Sequence, residues 1–345
     1  MAIEFGKRLL KSSNSVATLP NGRVSARDNK KMSLLFKKPG ILTTIQDLGR
    51  SGWQSYGINP NGVMDATAAR LANILLGNNE NEAVLEMHFP AGEFEFETDC
   101  SFAIAGADLG ASLSGNEINN WSSAIAEKGD LLKFTERRTG TRAYLAVAGG
   151  FEINEWLGSV STNLVAGIGG LAGRQIKAGD RIGLRDPRVV KPRRIGPSMI
   201  PRYSRFPTVC VTAGAEFDLL TAVSERTFMS EGFMLTLDSN RMGFRISGGP
   251  LFLLSNKEMV SAAVTFGTIQ LLPDGQLVVL MADHQTSGGY PRIANVIAAD
   301  LPLLAQLSPG DGVGFHIISI DEAESIAARF EEDLCTLRLG VRFAS

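Results

Sequence analysis

The residues from Asp283 to Tyr290 combine several side chains that can do chemistry. They supply a carboxylate, an imidazole, an amide, hydroxyl groups and the pair Gly288-Gly289. The stretch follows an apolar run, Leu277–Met281, with the length and β-branched content of a buried strand. It precedes residues 293–299, whose spacing predicts a helix with Pro291 in its first turn. Polar groups at such a junction indicate a site, although a connection merely capped by polar residues would show the same pattern.

Each group in this stretch suggests a role. Gly288 and Gly289 can adopt positive φ, and a helix start offers free N–H groups to an anion or a developing oxyanion. His284 is predicted to move a proton in preference to Asp283, because an unperturbed imidazole has a pKa of about 6.5. Gln285 and Tyr290 complete the predicted catalytic set of Asp283, His284, Gln285 and Tyr290.

Two further groups of polar residues predict binding of substrate or an anion. Arg241 and Arg245 lie four positions apart and could clamp a carboxylate or a phosphate, although paired surface charges would give the same spacing. In the first half of the chain, Gln46, Asp47 and Arg50 follow a predicted strand. An ion pair between Asp47 and Arg50 across a turn is the alternative interpretation of that second group.

The sequence does not indicate other familiar kinds of site. The Gly-rich run 166–174 lacks both the Gly-Lys-Ser/Thr ending of a P-loop and the dinucleotide spacing, so a tight loop is favoured over nucleotide binding. The three histidines show no ligand spacing with one another or with the cysteines, so no metal site is predicted. A Gly-x-Ser-x-Gly nucleophile elbow is not present either.

Composition favours a soluble two-domain protein. The chain has 345 residues, of which 44% are apolar and 20% charged, and its formal net charge of −2 predicts neither a nucleic-acid nor a membrane partner. No apolar run approaches the roughly 18 residues of a membrane helix. The three cysteines are far apart and odd in number, which fits a reducing compartment, so we expect a cytoplasmic protein.

Charge and proline content divide the chain. Residues 1–31 carry seven basic and two acidic side chains, a balance of +5. We predict a poorly packed extension upstream of a second start at Met32, with a transit peptide as the alternative. The predicted order continues with a first lobe at 32–186, a Pro-rich basic linker at 187–207, a second lobe at 208–320, and a C-terminal helix and tail at 321–345. The linker is either solvated or attracts anions towards a cleft between the lobes.

Most of the local patterns are those of short strands. The alternation in 93–97 predicts that Phe94 and Phe96 face a core. A Gly-Asp turn recurs ahead of predicted strands and suggests two related lobes; it stands at Gly129-Asp130, Gly179-Asp180 and Gly310-Asp311.

Two helices are predicted outside the candidate site. One lies between Asp65 as N-cap and Gly77 just past its end, with Ala69, Ala72, Leu75 and Leu76 on its apolar face. The other begins with a capping-box pattern at Asp321–Glu324 and runs to about Leu334.

Ordered segments along the chain carry a family resemblance. They are Thr43–Arg50, Gly62–Asp65, Leu71–Asn73, Gly106–Asp108, Arg142–Gly150, Leu157–Ser159, Arg241–Gly243 and Gln285–Pro291. Together they resemble the carboxyltransferase subdomain A/B family, also called allophanate hydrolase subunit 2 or the KipA-type family, across residues 33–320. Asn240 departs from the family's usual Asp, which keeps the turn geometry but removes a charge.

The resemblance implies a fold and a function. The fold implied is mainly β with a few helices, arranged as two cyclophilin-like β-barrel lobes. Members include the C subunit of the bacterial ATP-dependent 5-oxoprolinase, which with the A and B subunits opens 5-oxoproline to glutamate while the complex uses ATP. We expect this role, with the 5-oxoprolinase A and B subunits as partners.

The resemblance also implies two alternative functions. One is a biotin-dependent carboxyltransferase component of the urea or allophanate type, although the chain shows no biotin carboxylase region or biotin-carrier lysine motif. The other is a regulatory binding protein that antagonises a B-type kinase inhibitor.

Overall fold

The computed structural model describes residues 32–255 and 259–343. The predicted extension at 1–31 lies outside the described residues. The described part of the chain contains twenty β-strands and four α-helices, so the fold is mainly β with a few helices, as predicted. Among these helices, none combines the length and apolarity needed to cross a lipid bilayer.

The first lobe consists of two antiparallel sheets. One has six strands in the order β11-β1-β4-β9-β6-β7, and the other has five in the order β2-β3-β10-β5-β8. The strands are β1 Ser33–Lys38, β2 Leu42–Gln46, β3 Val84–His88, β4 Glu93–Phe96, β5 Cys100–Asp108, β6 Ala111–Leu113, β7 Asn116–Glu117, β8 Ser122–Ala126, β9 Leu131–Phe134, β10 Thr139–Val147 and β11 Arg181–Gly183.

A single apolar core lies between these sheets. Phe94 and Phe96 of β4 are fully buried in it, which confirms the inward alternation predicted for this strand. Phe96 packs against Phe102 of the opposite sheet with ring centroids 5.1 Å apart. Alternate residues of each strand therefore meet across the two sheets, while the other face of the five-stranded sheet needs a separate cover.

That other face is covered by helix α1 (Ala66–Leu75). Asp65 Oδ1 accepts a hydrogen bond of 2.9 Å from the backbone N–H of Ala68, and Gly77 follows the helix with φ +69°. Both predicted caps are thus confirmed. The predicted apolar residues are buried because they pack on the sheet below.

The second lobe is a closed barrel of seven strands in the order β12-β19-β16-β17-β14-β13-β20. Strands β12 and β20 of this barrel pair in parallel, whereas the other strand pairs described for it are antiparallel. The strands of this lobe, with the separate pair β15–β18, are β12 Thr208–Ala213, β13 Phe233–Leu235, β14 Gly243–Ser247, β15 Ala262–Ala263, β16 Thr268–Leu271, β17 Leu277–Leu280, β18 Ser287–Gly288, β19 Arg292–Val296 and β20 Gly312–Ile317. Two helices accompany them, α2 (Ala222–Ser230) and α3 (Leu301–Ala305).

The prediction of a helix at 293–299 was wrong. Residues Arg292–Val296 form strand β19, which pairs with β12 and β16 inside the barrel. Ile293 and Ala294 are fully buried there. A short apolar run is compatible with either a buried strand or a buried helix. Here the residues form a strand because β12 and β16 pair with them on both sides.

The last helix, α4 (Ile320–Phe343), starts earlier and ends later than predicted. Its capping box is formed by Ser319 and Glu322: the backbone N–H of Glu322 donates to Ser319 Oγ at 3.2 Å, and that of Ser319 donates to Glu322 Oε2 at 2.9 Å. The helix leaves the second lobe and packs across α1 of the first, where Arg70 pairs with Glu331 at 2.6 Å. It therefore joins the two lobes.

The recurring Gly-Asp turns share one geometry. In each, the glycine has positive φ and the aspartate side chain accepts a hydrogen bond at Oδ2 from the backbone N–H three residues earlier. The turns precede β9, β11 and β20, as predicted.

The segment predicted as a linker follows the first lobe closely. The Ser123 N–H donates to the Arg193 carbonyl at 2.8 Å, and the Ile195 N–H to the Trp121 carbonyl at 2.9 Å. Tyr203 Oη donates to Asp65 Oδ2 at 2.6 Å. These bonds hold the segment against β8 and α1.

Candidate functional site

Arg241 and Asp283 form a buried ion pair where the barrel meets the first lobe. Arg241 Nε donates to Asp283 Oδ2 at 2.9 Å, and Nη2 donates to Asp283 Oδ1 at 3.1 Å and to the Gly62 carbonyl at 2.5 Å. Its Nη1 donates to Glu86 of β3. Burial alone would lower the pKa of Arg241, but the carboxylates of Glu86 and Asp283 raise it overall. The guanidinium is therefore a permanent cation whose donors are taken up by protein acceptors.

Three residues of the first lobe extend this contact. Asn61 Nδ2 donates to Asp283 Oδ1 at 2.8 Å, and Arg50 Nη1 donates to Asn61 Oδ1 at 2.6 Å. On the other side, Tyr144 Oη donates to Glu86 Oε2 at 2.9 Å. We call the set Arg50, Asn61, Asp283, Arg241, Glu86 and Tyr144 the inter-lobe network. Each member is buried.

The predicted residues Asp47 and Arg50 both anchor the segment at 159–161. Asp47 accepts from Ser159 Oγ and Ser161 Oγ at 2.6 Å each, and from the Val160 N–H at 2.8 Å. Arg50 Nη2 donates to the Ser161 carbonyl at 2.6 Å. Burial lowers the pKa of Arg50, which the charges of Asp47 and Asp283 partly offset. In place of the simple turn pair considered as the alternative, both side chains reach into the body of the lobe.

Gln46 is also buried, at the end of β2. Its Nε2 donates to Thr44 Oγ1 at 3.1 Å and to the Thr162 carbonyl at 3.2 Å. Its Oε1 has no hydrogen-bond partner among the described residues. Gln46, Asp47 and Arg50 are thus brought together, and Arg50 is linked to Asp283 through Asn61.

His284 follows Asp283 and is almost fully buried. Its Nδ1 lies 2.6 Å from the Gln285 carbonyl oxygen. A carbonyl oxygen can only accept, so Nδ1 carries the proton and Nε2 holds the lone pair. Burial lowers the pKa of His284, which keeps the imidazole neutral near pH 7. The ring has the protonation state of a general base.

The residues after His284 form an exposed loop. Gln285 is exposed and Tyr290 is 46% exposed, while β18 pairs with β15. Neither Gly288 nor Gly289 has positive φ, and a Cβ on Gly288 would lie 2.6 Å from Gln270 Nε2. A side chain at Gly288 would therefore require the amide group of Gln270 to move. The expected anion site at a helix start is wrong, because a strand follows this loop.

Arg241 and Arg245 do not form the predicted anion clamp. Arg245 is exposed on β14, between the buried Phe244 and Ile246, whereas Arg241 is buried in the inter-lobe network. Arg241 precedes β14, whereas Arg245 lies within it, on the face opposite to Phe244 and Ile246, so the two cations point to different places. Asn240 Oδ1 accepts from the Met242 N–H at 2.8 Å, so the turn geometry survives the missing charge.

Three important residues were missed by the sequence analysis: Asn61, Glu86 and Gln306. Gln306 Oε1 accepts from the backbone N–H groups of Thr141 and Arg142, and its Nε2 donates to Asp65 Oδ2 at 2.9 Å. Glu86 could have been noticed in the sequence, because it is a carboxylate among the apolar residues at 83–87. Groups of three or more possible metal ligands do not occur within residues 32–255 and 259–343.

The sequence profile described as "Carboxyltransferase domain, subdomain A and B" matches residues 56–317. The chain belongs to this carboxyltransferase family. A relative from Haemophilus influenzae, named as the C subunit of 5-oxoprolinase, is 37% identical over 86% of this chain and 94% of its own length. The protein of the same name from Escherichia coli is 37% identical over 83% of this chain and 91% of its own length.

A solved structure supports the same membership. The crystal structure of the Kluyveromyces lactis urea amidolyase superposes on this family member with a TM-score of 0.86 and 26% identity, over 90% of this chain. This chain spans 20% of the length of that protein, which is a much larger polypeptide.

Proposed function

We propose that this chain is the C subunit of a complex that hydrolyses 5-oxoproline to glutamate at the expense of ATP. The observation that carries the proposal is the similarity to two proteins of that name over more than nine-tenths of their length. The partners are then the A and B subunits of the complex, and the compartment is the cytoplasm.

His284 takes the proton in this proposal. ATP first phosphorylates the lactam carbonyl oxygen on the complex and leaves as ADP. The Nε2 of His284 then removes a proton from the water that attacks the activated carbon; the C–N bond of the ring breaks, the nitrogen takes the proton back from His284, and a second water releases inorganic phosphate to leave glutamate. Asp283 does not need to act as a base, since its two oxygens are held by Arg241 and Asn61. Its role is to position the neighbouring imidazole.

Gln285, Gly288, Gly289 and Tyr290 form the side of the site that meets substrate or partner. Gln285, Gly289 and Tyr290 are exposed beside the buried His284, so an incoming chain or small molecule reaches them first. Gln46, Asp47, Arg50 and Arg241 support the site from within rather than clamping an anion. Arg245 faces solvent elsewhere on the barrel and has no role in this proposal.

ATP is assigned to the complex and not to the Gly-rich loop 166–174. A Cβ on Gly169 would lie 2.1 Å from the Ser161 carbonyl oxygen, and one on Gly173 would lie 2.0 Å from the Gly167 backbone. These glycines let the loop fold onto itself and onto its neighbour, so their space is already filled by backbone.

Reconstitution tests the proposal. The chain, purified with the A and B subunits, is assayed for 5-oxoproline-dependent ADP release, and His284→Gln is compared with His316→Gln, which replaces an exposed histidine on β20. Loss of a general base lowers kcat by about a hundredfold or more. We expect this loss in the complex that contains His284→Gln and not in the complex that contains His316→Gln. The chain without the A and B subunits should show no turnover. Full activity of folded His284→Gln would remove the proton-transfer role.

A carboxyltransferase function is the second candidate, because the urea amidolyase similarity covers nine-tenths of this chain. It requires a carboxylated biotin carried by another chain or domain. Incubating the chain with carboxybiotin and a small amide acceptor, and measuring carboxyl transfer, distinguishes the two functions. Transfer without any 5-oxoproline-dependent turnover would favour the second.

A further inference from the structure

The basic segment 187–207 contributes one wall of a groove that the inter-lobe network does not use. The groove has a volume of about 790 Å³ and lies between residues 191–199 of this segment and the last turns of α4. This volume falls within the range of about 300–1,000 Å³ typical of small-molecule sites.

The floor of the groove is apolar. It is formed by Leu75 of α1, Met199 of the segment, and Leu337 and Val341 of α4. Leu75 and Val341 are buried, while Met199 and Leu337 are only partly covered. An apolar ligand would therefore remove surface of Met199 and Leu337 from water.

The wall formed by the segment is positively charged. Lys191 and Arg194 are exposed there, and within the described part of the chain neither side chain is hydrogen-bonded or ion-paired. Arg193 is occupied, since its guanidinium donates to the carbonyls of Leu75 and Val341. Asp333 on the opposite wall is the acid that an anionic ligand would face. Three cations, Lys191, Arg193 and Arg194, line the groove against one acid, which leaves its rim with a net positive charge.

Gly340 keeps the mouth of the groove open. It lies in the last turn of α4, and a Cβ at this position would meet no atom within 4 Å. Glycine in a helix is less favourable than alanine by up to about 1 kcal/mol. No packing contact at Gly340 compensates for that penalty, whereas a ligand passing over the helix would use the space.

We propose that this groove binds an amphipathic carboxylate, with its carboxylate at Lys191 and Arg194 and its alkyl chain on the floor. The ligand would bridge the segment and α4. Since α4 joins the second lobe to α1, binding would strengthen the attachment of the two lobes. The groove shares no residue with the site proposed for 5-oxoproline, so either assignment can fail without the other.

Isothermal titration of the full chain with decanoate, and with decanol as the uncharged probe, tests the proposal. We expect saturable binding of one decanoate per chain, at least about tenfold tighter than decanol because a charge-assisted contact is added. The variant Lys191→Gln/Arg194→Gln should lose that advantage. The matched variant Lys128→Gln/Lys177→Gln, which removes two exposed lysines elsewhere, should retain it.

A second variant tests the shape of the groove. Gly340→Leu should keep or raise the melting temperature, because it fills open space with a good helix former, and should abolish decanoate binding. Absence of saturable decanoate binding to the wild-type chain would overturn the proposal. Equal binding of decanoate and decanol, or unchanged binding in Lys191→Gln/Arg194→Gln, would overturn it as well.

Discussion

Asn61 Nδ2 donates a hydrogen bond of 2.8 Å to Asp283 Oδ1, although the two residues belong to different lobes. Asp283 Oδ2 accepts from Arg241 at 2.9 Å, so both oxygens of the carboxylate are fixed. Asn61 itself has φ +56°, a conformation that asparagine tolerates better than most residues. The position of His284 therefore depends on residues far away in the sequence.

Replacing Glu86 should destabilise the protein strongly. Glu86→Ala leaves Arg241 buried with one carboxylate fewer, and removing one partner of a buried ion pair costs about 3–5 kcal/mol. Urea denaturation of the purified chain measures the change in unfolding free energy. The matched variant Glu95→Ala breaks a partly exposed pair with Lys37 and should cost less than about 1 kcal/mol. Equal changes in unfolding free energy for the two variants would contradict a large contribution of the inter-lobe network to stability.

Gln306→Ala should loosen the contact between the lobes. It removes the acceptor of the Thr141 and Arg142 N–H groups and one donor to Asp65, and each unsatisfied buried group costs about 1–3 kcal/mol. The exposed Gln175→Ala should change stability by less than about 0.5 kcal/mol. Thermal unfolding of both variants compares them. If Gln306→Ala unfolds at the wild-type temperature, the contact is not important for stability.

The stability of the protein should fall as the pH is lowered from 6.5 towards 4, in part because of His88. Burial, reinforced by the charge of Arg142, lowers the pKa of His88 to about 4. Between these pH values His88 binds more protons in the unfolded chain than in the folded chain, so the free energy of unfolding rises with pH there. The contribution of His88 to stability is fully present above pH 6.5 and is lost as the pH falls towards 4. Urea denaturation at pH 7 and pH 5 should show a smaller difference for His88→Gln than for the wild type. The exposed His316→Gln should retain the wild-type difference.

Substitutions at two glycines of the loop 166–174 should distinguish the cost of backbone strain from the cost of steric overlap. Gly167 and Gly173 have nearly equal φ, +66° and +67°. A Cβ on Gly167 would meet no atom within 4 Å, whereas one on Gly173 would lie 2.0 Å from the backbone of Gly167. Gly167→Ala should cost about 1–2 kcal/mol from left-handed strain alone, and Gly173→Ala clearly more. Similar melting temperatures for the two variants would contradict the close packing of Gly173 against the backbone of Gly167.

Local features of the fold were predictable because the signals are local. The caps at Asp65 and Gly77 and the inward side chains of Phe94 and Phe96 depend on residues close in sequence. Strand β19 was predicted as a helix because its partners β12 and β16, which decide its conformation, are distant in the chain. The conformation of residues 292–296 was therefore not predictable from the local pattern alone.

The site was predictable only in part, for a related reason. The residues Asp47, Arg50, Arg241 and Asp283 were chosen from their types, and the structure brings them into one connected region. Their function within it differs from the expectation, since Arg241 and Asp283 neutralise each other. The pairing of Glu86 with Arg241 joins residues 155 positions apart, and no spacing rule reaches that far.

Helix α4 packs on α1 but is synthesised much later than α1. Helix α1 leaves the ribosome about 250 residues before α4, and at typical translation rates of about 5–20 residues per second that interval lasts many seconds. Throughout it, the apolar surface of α1 that receives Leu334 is uncovered. A first lobe that is still attached to the ribosome therefore exposes this apolar surface until α4 emerges.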